Sequence, residues 1–366
     1  MTRFTAKVFF LSLVIVFISW YAGYAQDTLR TYYDEDSLHV KEILTKINGK
    51  AEGEVRLFDP TGNLILIGNL KNDQRNGFFY DLHPDTGDTL RIVEFQNNLR
   101  EGKARSFFPE GGVSQESTFV NNQLQGPMIS YFEDGTVSER INFKNNKPDG
   151  ISEAYYPSGK LRSKNSFVAG QFDGVNEEYG EDGQLLSSTS YSKGVLNGPE
   201  THFFADGTVK SKRNFVNGMI EGTYILYYPE GKIQRKGLYK KGNPEGEMQE
   251  FFPDGTVKMR AVYSKGTPSR PIVYYYENGK IRQRVTFNSS GQKIREDNFY
   301  PSGAPYSVVP FAGGSESGVV KLYFEDGALK EIRTYSYGRL NGKQETYDKD
   351  GNVLKSETYR NGIVVK

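Results

Sequence analysis

Three histidines, His39, His83 and His202, are the only imidazoles in the chain. A histidine acts as general base or metal ligand only beside a nucleophile, a carboxylate or further ligands. These three lie far apart and in different local contexts, and no metal-ligand spacing, nucleophile elbow or phosphate loop surrounds them. Cysteine is absent, which removes disulfides, thiolate metal sites and thiol nucleophiles. Serine and aspartate are abundant but fall at turn positions. The composition points away from an enzyme and implies no cofactor or metal.

Two other sets of residues carry charge at regular spacing. Glu110, Asp134, Asp182, Asp206, Glu230, Asp254, Asp326 and Asp350 each directly precede a glycine. They could ligate calcium along one edge, or stabilise turns by side-chain bonds to the backbone; the ligand-rich loop of a dedicated calcium site is missing. The second set pairs rings with cations: Tyr155 with Arg162, Phe203 with Lys210, Phe251 with Lys258, Tyr275 with Arg282, and Tyr323 with Lys330. Arg140, Lys164, Lys212, Lys236, Arg260 and Arg284 follow on the same face. Such a stripe suits an anionic glycan, a lipid headgroup or an acidic partner. Internal cation–π and ion pairs on a solvated face, at about 0.5–1 kcal/mol each, are the simpler account of it.

These residues are placed by a repeat. A turn glycine recurs at positions 62, 87, 111, 135, 159, 183, 207, 231, 255, 279, 303, 327 and 351, with every interval 24 residues except the first, which is 25. Gly159, Gly183, Gly207, Gly231 and Gly255 head the most regular units. Four residues before this glycine stands Tyr or Phe, with His83 the exception; eight residues after it stands another ring, with Leu70 the exception. A second glycine, as at Gly198, Gly222 and Gly246, lies nine residues before the turn.

Each unit reads as two short strands. Pro-Asp-Gly, Pro-Glu-Gly and Glu-Asp-Gly mark one turn, and Asn217-Gly218 or Lys241-Gly242 the other. A four-residue loop at the first turn would set Phe252 opposite Val257 and Tyr228 opposite Ile233. It would also set Gly198 opposite Phe215 and Gly222 opposite Tyr239. The second glycine would then clear space for a ring lying over the backbone.

The repeated Tyr227-Tyr228-Pro229-Glu230-Gly231 and Asn217-Gly218-Met219-Ile220-Glu221-Gly222 elements resemble those of MORN repeats, most closely the bacterial variant form. The resemblance runs from about residue 33 to the C terminus. It implies an extended, twisted sheet of hairpins used for attachment to proteins or membranes; some bacterial relatives carry an antitoxin label. The expected fold class is therefore all-β: an elongated antiparallel sheet of about 13 tandem hairpins, with stability roughly additive along the chain.

The organisation expected is a signal peptide over 1–25, a degenerate capping repeat over 26–50, and tandem hairpins over 51–366. Arg3 and Lys7 precede an uncharged apolar run from Val8 to Trp20, and small residues at Gly23 and Ala25 suit cleavage after Ala25. The run is short for a membrane span, although a retained anchor stays open. Residues 264–318 are irregular. Arg270 and Ile294 replace the second glycine, and Pro268, Pro271, Pro301, Pro305 and Pro310 crowd in, which favours a bulge or bend.

With 46 basic against 45 acidic residues, the chain lacks the positive excess of a nucleic-acid binder. Strands of six or seven residues bearing Lys, Arg and Glu do not suit a transmembrane barrel. The sequence thus points to an exported scaffold binding an unknown protein or envelope component. A glycan- or peptidoglycan-binding or anionic-lipid-binding module is the alternative. Unpaired end strands would also permit end-to-end self-association.

Overall fold

A computed structural model describes residues 26–365; the targeting segment expected over 1–25 lies outside the described residues. Within them there are 35 strands and no helix. The all-β fold of tandem antiparallel hairpins expected from sequence is the fold observed.

The chain forms two compact units, one comprising the residues up to Val113 with Phe119–Asn122, the other Ser114–Thr118 with the residues from Gln123 onward. In the first, Gln26–Tyr32, Val40–Ile47, Lys50–Phe58, Leu64–Lys71, Gly77–Leu82, Thr89–Gln96 and Leu99–Phe107 pair antiparallel in chain order. Leu44, Ala51, Val55 and Phe79 form its buried cluster. The second unit repeats the same pairing up to Val353–Arg360, and its apolar cluster is Met248, Met259, Ala261 and Ile272, flanked by Tyr239, Tyr263 and Tyr274.

The unit around Gly207 shows how one repeat is made. Strands Val195–Phe203 and Val209–Val216 meet at Ala205-Asp206-Gly207. Gly207 N–H donates to Phe204 O at 2.9 Å, and Phe204 N–H donates to Thr208 O at 2.8 Å. The loop is therefore three residues long, with Gly207 at φ 83° in the left-handed position that closes such a hairpin. This corrects the four-residue loop: Phe251, not Phe252, faces Val257, and Tyr227, not Tyr228, faces Ile233. A β-bulge one step on cancels the slip. His202 faces Ser211, and Gly198 faces Phe215 as expected; Gly222 likewise faces Tyr239.

The second turn, Asn217-Gly218, holds both residues at positive φ, 49° and 78°, the two-residue turn whose twist matches its strands. After it, Glu221 N–H still reaches Asn214 O, yet Ile225 already faces Lys212. The strand absorbs two extra residues between these points, and Gly222 makes this possible at φ 88°. A Cβ on Gly222 would meet nothing within 4 Å. The expected ring clearance is thus not the reason for this glycine; its backbone conformation is.

Neighbouring repeats are stitched at both edges. Along the two-residue turns, a side chain accepts from the turn amide 20 residues later: Glu221 from Lys241 N–H at 2.8 Å, Glu245 from Lys265 N–H at 2.7 Å, and Asn197 from Asn217 N–H at 3.2 Å. The same bond recurs from Asn72 to Asn361. Along the other edge Tyr156, Tyr228, Tyr276 and Tyr300 donate their hydroxyls to the main-chain carbonyls of Tyr179, Phe251, Phe299 and Tyr323.

Between 264 and 318 the pattern changes. The strand after Arg270 shortens to Ile272–Tyr275. Asn288 N–H bonds Gln292 O, so a three-residue loop replaces the two-residue turn. Ile294 falls in a bulge between Lys293, which faces Phe287, and Arg295, which faces Thr286.

Candidate functional site

The ring-and-cation stripe lies wholly in the second unit. Arg162, Lys210, Lys258, Arg282 and Lys330 are all exposed, while Tyr155, Phe203, Phe251, Tyr275 and Tyr323 are half-buried. The pairing differs from the one expected. Tyr155, Phe203, Phe251, Tyr275 and Tyr323 face Leu161, Val209, Val257, Ile281 and Leu329, and the cations occupy the bulge beside them. From there Lys210 lies over Phe204 at 5.8 Å, Lys258 over Phe252 at 5.9 Å and Lys330 over Phe324 at 5.5 Å. Arg282 lies over Tyr274 at 5.7 Å. A one-residue slip of register thus hands Lys210, Lys258, Arg282 and Lys330 each to a different ring. The ring of Phe251 is approached instead by Lys236 of the preceding repeat, at 5.6 Å.

The second row of cations crosses the sheet in a line of directly facing residues. At one end Arg140, Glu153, Lys164 and Glu177 alternate in sign. Further along, Thr201, Lys212, Ile225, Lys236, Gln249, Arg260 and Val273 follow one another, and every cation faces neutral residues on both sides. Glu153 and Glu177 also accept from the hydroxyls of Tyr155 and Tyr179 at 2.8 and 2.9 Å. Burial, with the adjacent carboxylate, raises both phenols above their ordinary pKa. Carboxylates thus face the cations around Tyr155, whereas Lys212, Lys236 and Arg260 have neutral residues directly opposite; Glu247 stands on the same face and accepts from Gln249 at 2.8 Å, and Arg284, next in the row, faces Asp297.

The stretch from Lys210 to Arg282 ends in a groove of about 390 Å³ lined by Phe252, Tyr275, Tyr276, Glu277, Asn278, Arg282 and Pro301. Tyr276 and Asn278 spend their donors on Phe299 O and Pro301 O. Tyr275, Glu277 and Arg282 remain as the polar groups at the rim.

The opposite face buries a polar strip. Glu200 is buried beside Arg213, with His202 Nε2 3.3 Å away, and Glu250 pairs with Arg235. His39 sits with Asp34, and His83 Nδ1 accepts from Asp85 N–H at 3.2 Å. The structure does not bring the three histidines together.

Asp134, Asp182, Asp206, Asp254 and Asp326 of the acidic turn column serve their own turns. Asp134, Asp206 and Asp254 each accept from the hydroxyl and the amide of the threonine two residues on, at 2.6–2.9 Å. These bonds, the hydroxyl's first, hold all three carboxyls below the usual aspartate pKa. Among the described residues no group of three or more His, Asp or Glu is arranged to hold a metal ion.

Sequence reasoning missed the two inter-repeat bonds. Their signal was present: an acid or amide before the second glycine, and a tyrosine three before the turn glycine.

A family model described as MORN repeat variant matches residues 51–72, 100–121, 124–145, 148–169, 196–217, 220–241, 244–265, 272–289, 316–337 and 340–361, more than half of the chain. No curated protein matches in sequence. Among solved structures, that of TcdB2-TccC3-TEV aligns over 91% of this chain and 17% of its own, at 15% identity and a TM-score of 0.16. The Photorhabdus luminescens Tc holotoxin pore aligns over 91% and 23%, at 11% identity and a TM-score of 0.16. This chain thus spans less than a quarter of either, and so low a structural score carries no argument.

Proposed function

Since this chain belongs to the MORN repeat variant family, whose repeats generally form protein- or membrane-binding scaffolds, we propose that it is an exported, non-catalytic scaffold. It holds a protein or another envelope component against its cation-lined face. One observation carries this reading: from Lys210 to Arg282 two rows of exposed or half-exposed cations stand among half-buried rings, and the second row faces only neutral residues between Thr201 and Val273. A solvated face balanced for its own sake would carry carboxylates in those facing positions, as it does at Glu153 and Glu177; the nearby Glu247 is engaged by Gln249. Export is supported by Arg3, Lys7 and the apolar run ending at Trp20.

The groove at Tyr275 favours a second reading, a glycan-binding module, because three rings, Phe252, Tyr275 and Tyr276, line it beside an exposed arginine.

Both readings are tested with the C-terminally tagged chain, incubated with envelope extract beside a variant carrying Arg162→Ser, Lys210→Ser, Lys258→Ser and Arg282→Ser. The scaffold reading expects one protein retained by the native chain and lost from the variant. Retention of cell-wall sugar alone transfers the proposal to the glycan module. A partner held equally by both chains overturns the assignment to this face.

A further inference from the structure

The edge formed by the two-residue turns has a rule and lapses from it, at Ser269, Lys293 and Ser317. At nine turns among the described residues, a carboxylate or amide side chain accepts from the turn amide of the next repeat, with Glu221, Glu245 and Asp149 among the acceptors. The position that would serve Ser289 holds Ser269 instead. Its hydroxyl is spent on Val262 O at 3.1 Å. The next residue, Arg270, stands where regular repeats have glycine.

A groove of about 490 Å³ opens at this place, lined by Ser264, Lys265, Thr267, Ser269, Asn288 and Ser289, together with Pro268 and Phe287. No acidic residue lines it. Lys265 is exposed and donates only its backbone amide, to Glu245. Arg270, exposed and adjacent in the chain, makes no ion pair, hydrogen bond or ring contact among the described residues. The lapse at Ser269 therefore removes a negative group and leaves two unneutralised cations beside hydroxyls and the loop amide of Ser289.

We infer that this groove binds a carboxylate side chain of a partner, presented on an acidic extended peptide. The incoming carboxylate takes the place that Glu221 and Glu245 fill from within the chain in the regular repeats. The other repeats supply the argument for this occupant, because they show which group satisfies the same edge position. Lys265 and Arg270 supply the charge complement, and their attraction is screened by salt. The site lies on a different set of residues from the ring-and-cation stripe, so either assignment stands without the other.

The test uses the full chain and a fluorescent hexaglutamate peptide, with hexaglutamine as the neutral probe, read by anisotropy. The acidic peptide binds and the neutral one does not. Ser269→Glu places in the groove the residue type found at Glu245 and weakens binding by at least about tenfold, the loss expected for a charge-assisted bond to an occupied position. The pair Lys265→Asn and Arg270→Gly, both residue types this chain uses at the equivalent positions, weakens it similarly. Circular dichroism melting reports that each variant is folded. In a chain already carrying Lys210→Ser and Lys258→Ser, Ser269→Glu weakens the peptide by the same factor, which separates this groove from the stripe. Equal binding to Ser269→Glu and to the native chain overturns the proposal. So does displacement by an anionic polysaccharide as effective on Ser269→Glu as on the native chain, since that marks attraction by charge alone.

Discussion

In the repeats around Gly207, Gly231 and Gly255, a left-handed glycine stands at or near the start of each long strand and an acid or amide beside it ties down the next turn. At 269–270 and 293–294 both devices are missing together, replaced by Ser269-Arg270 and Lys293-Ile294. The strand after Arg270 has four residues where Gly222–Tyr227 has six. At 317–318 only the acid is missing: Ser317 precedes Gly318, whose φ is 112°. There the six-residue strand returns as Gly318–Tyr323, and the turn that follows, Tyr337-Gly338, keeps both residues at positive φ. Strand length does not follow the glycine alone, since Lys293–Phe299 runs to seven residues without it; the acid ties turns together without shaping them. Adjacent residues in one motif do separable work.

The largest expected effect breaks the comparison at the glycine. Gly222→Val puts a β-branched residue at φ 88° with open space around its Cβ, so the cost is that of the backbone, about 1–2 kcal/mol. Gly198→Val costs more, because its Cβ would also lie 2.9 Å from Ser190 Cβ and overpacking adds strain. Denaturant unfolding measures both. Equal losses at the two sites would show that the steric difference does not matter. At Arg270, by contrast, substitution by valine changes stability little.

A smaller effect sharpens the role of the acid. Glu245→Ala removes the acceptor for Lys265 N–H and, at an exposed site, lowers stability by no more than about 1 kcal/mol. Ser317→Glu supplies an acceptor where the Tyr337 turn already has the required shape, and raises the melting temperature. If both variants melt like the native chain, the stitch contributes nothing.

The smallest effect is a pH dependence shared by the regular repeats. Asp134, Asp206 and Asp254 have carboxyls held below the ordinary value of 3.8 by the threonine hydroxyl and amide. A depressed carboxyl stabilises fully above its unfolded pKa, and that stability drains as pH falls through the folded value. Changing all three aspartates to serine should lower the neutral plateau of a stability–pH curve slightly, leave the level at the lowest pH nearly unmoved, and so flatten the acid limb. An unchanged acid limb would assign acid sensitivity to other groups.

Much of the fold was legible in the residues. The period, the all-β class and the facing pairs Gly198–Phe215 and Gly222–Tyr239 follow from local rules. Alternating side chains face opposite sides of a strand, and only certain residues tolerate positive φ. The stripe's membership was legible for the same reason, since columns of a strict repeat share a face. Its internal pairing was not. The bulge after Val209 moves Lys210 by one place, and bulges arise from how a three-residue loop closes, not from the identity of the residue displaced.

The tertiary structure decided what depends on residues some 20 positions apart. These are the stitching of turns by Glu221 and Glu245, the tyrosine bonds on the opposite edge, and the two grooves at Tyr275 and Ser269. Sequence determined by itself that hairpins would repeat and which side chains each would carry. Where those side chains meet depends on how successive hairpins stack. Local backbone preference does not encode that stacking; it follows from hydrogen bonds that exist only once two repeats are in contact.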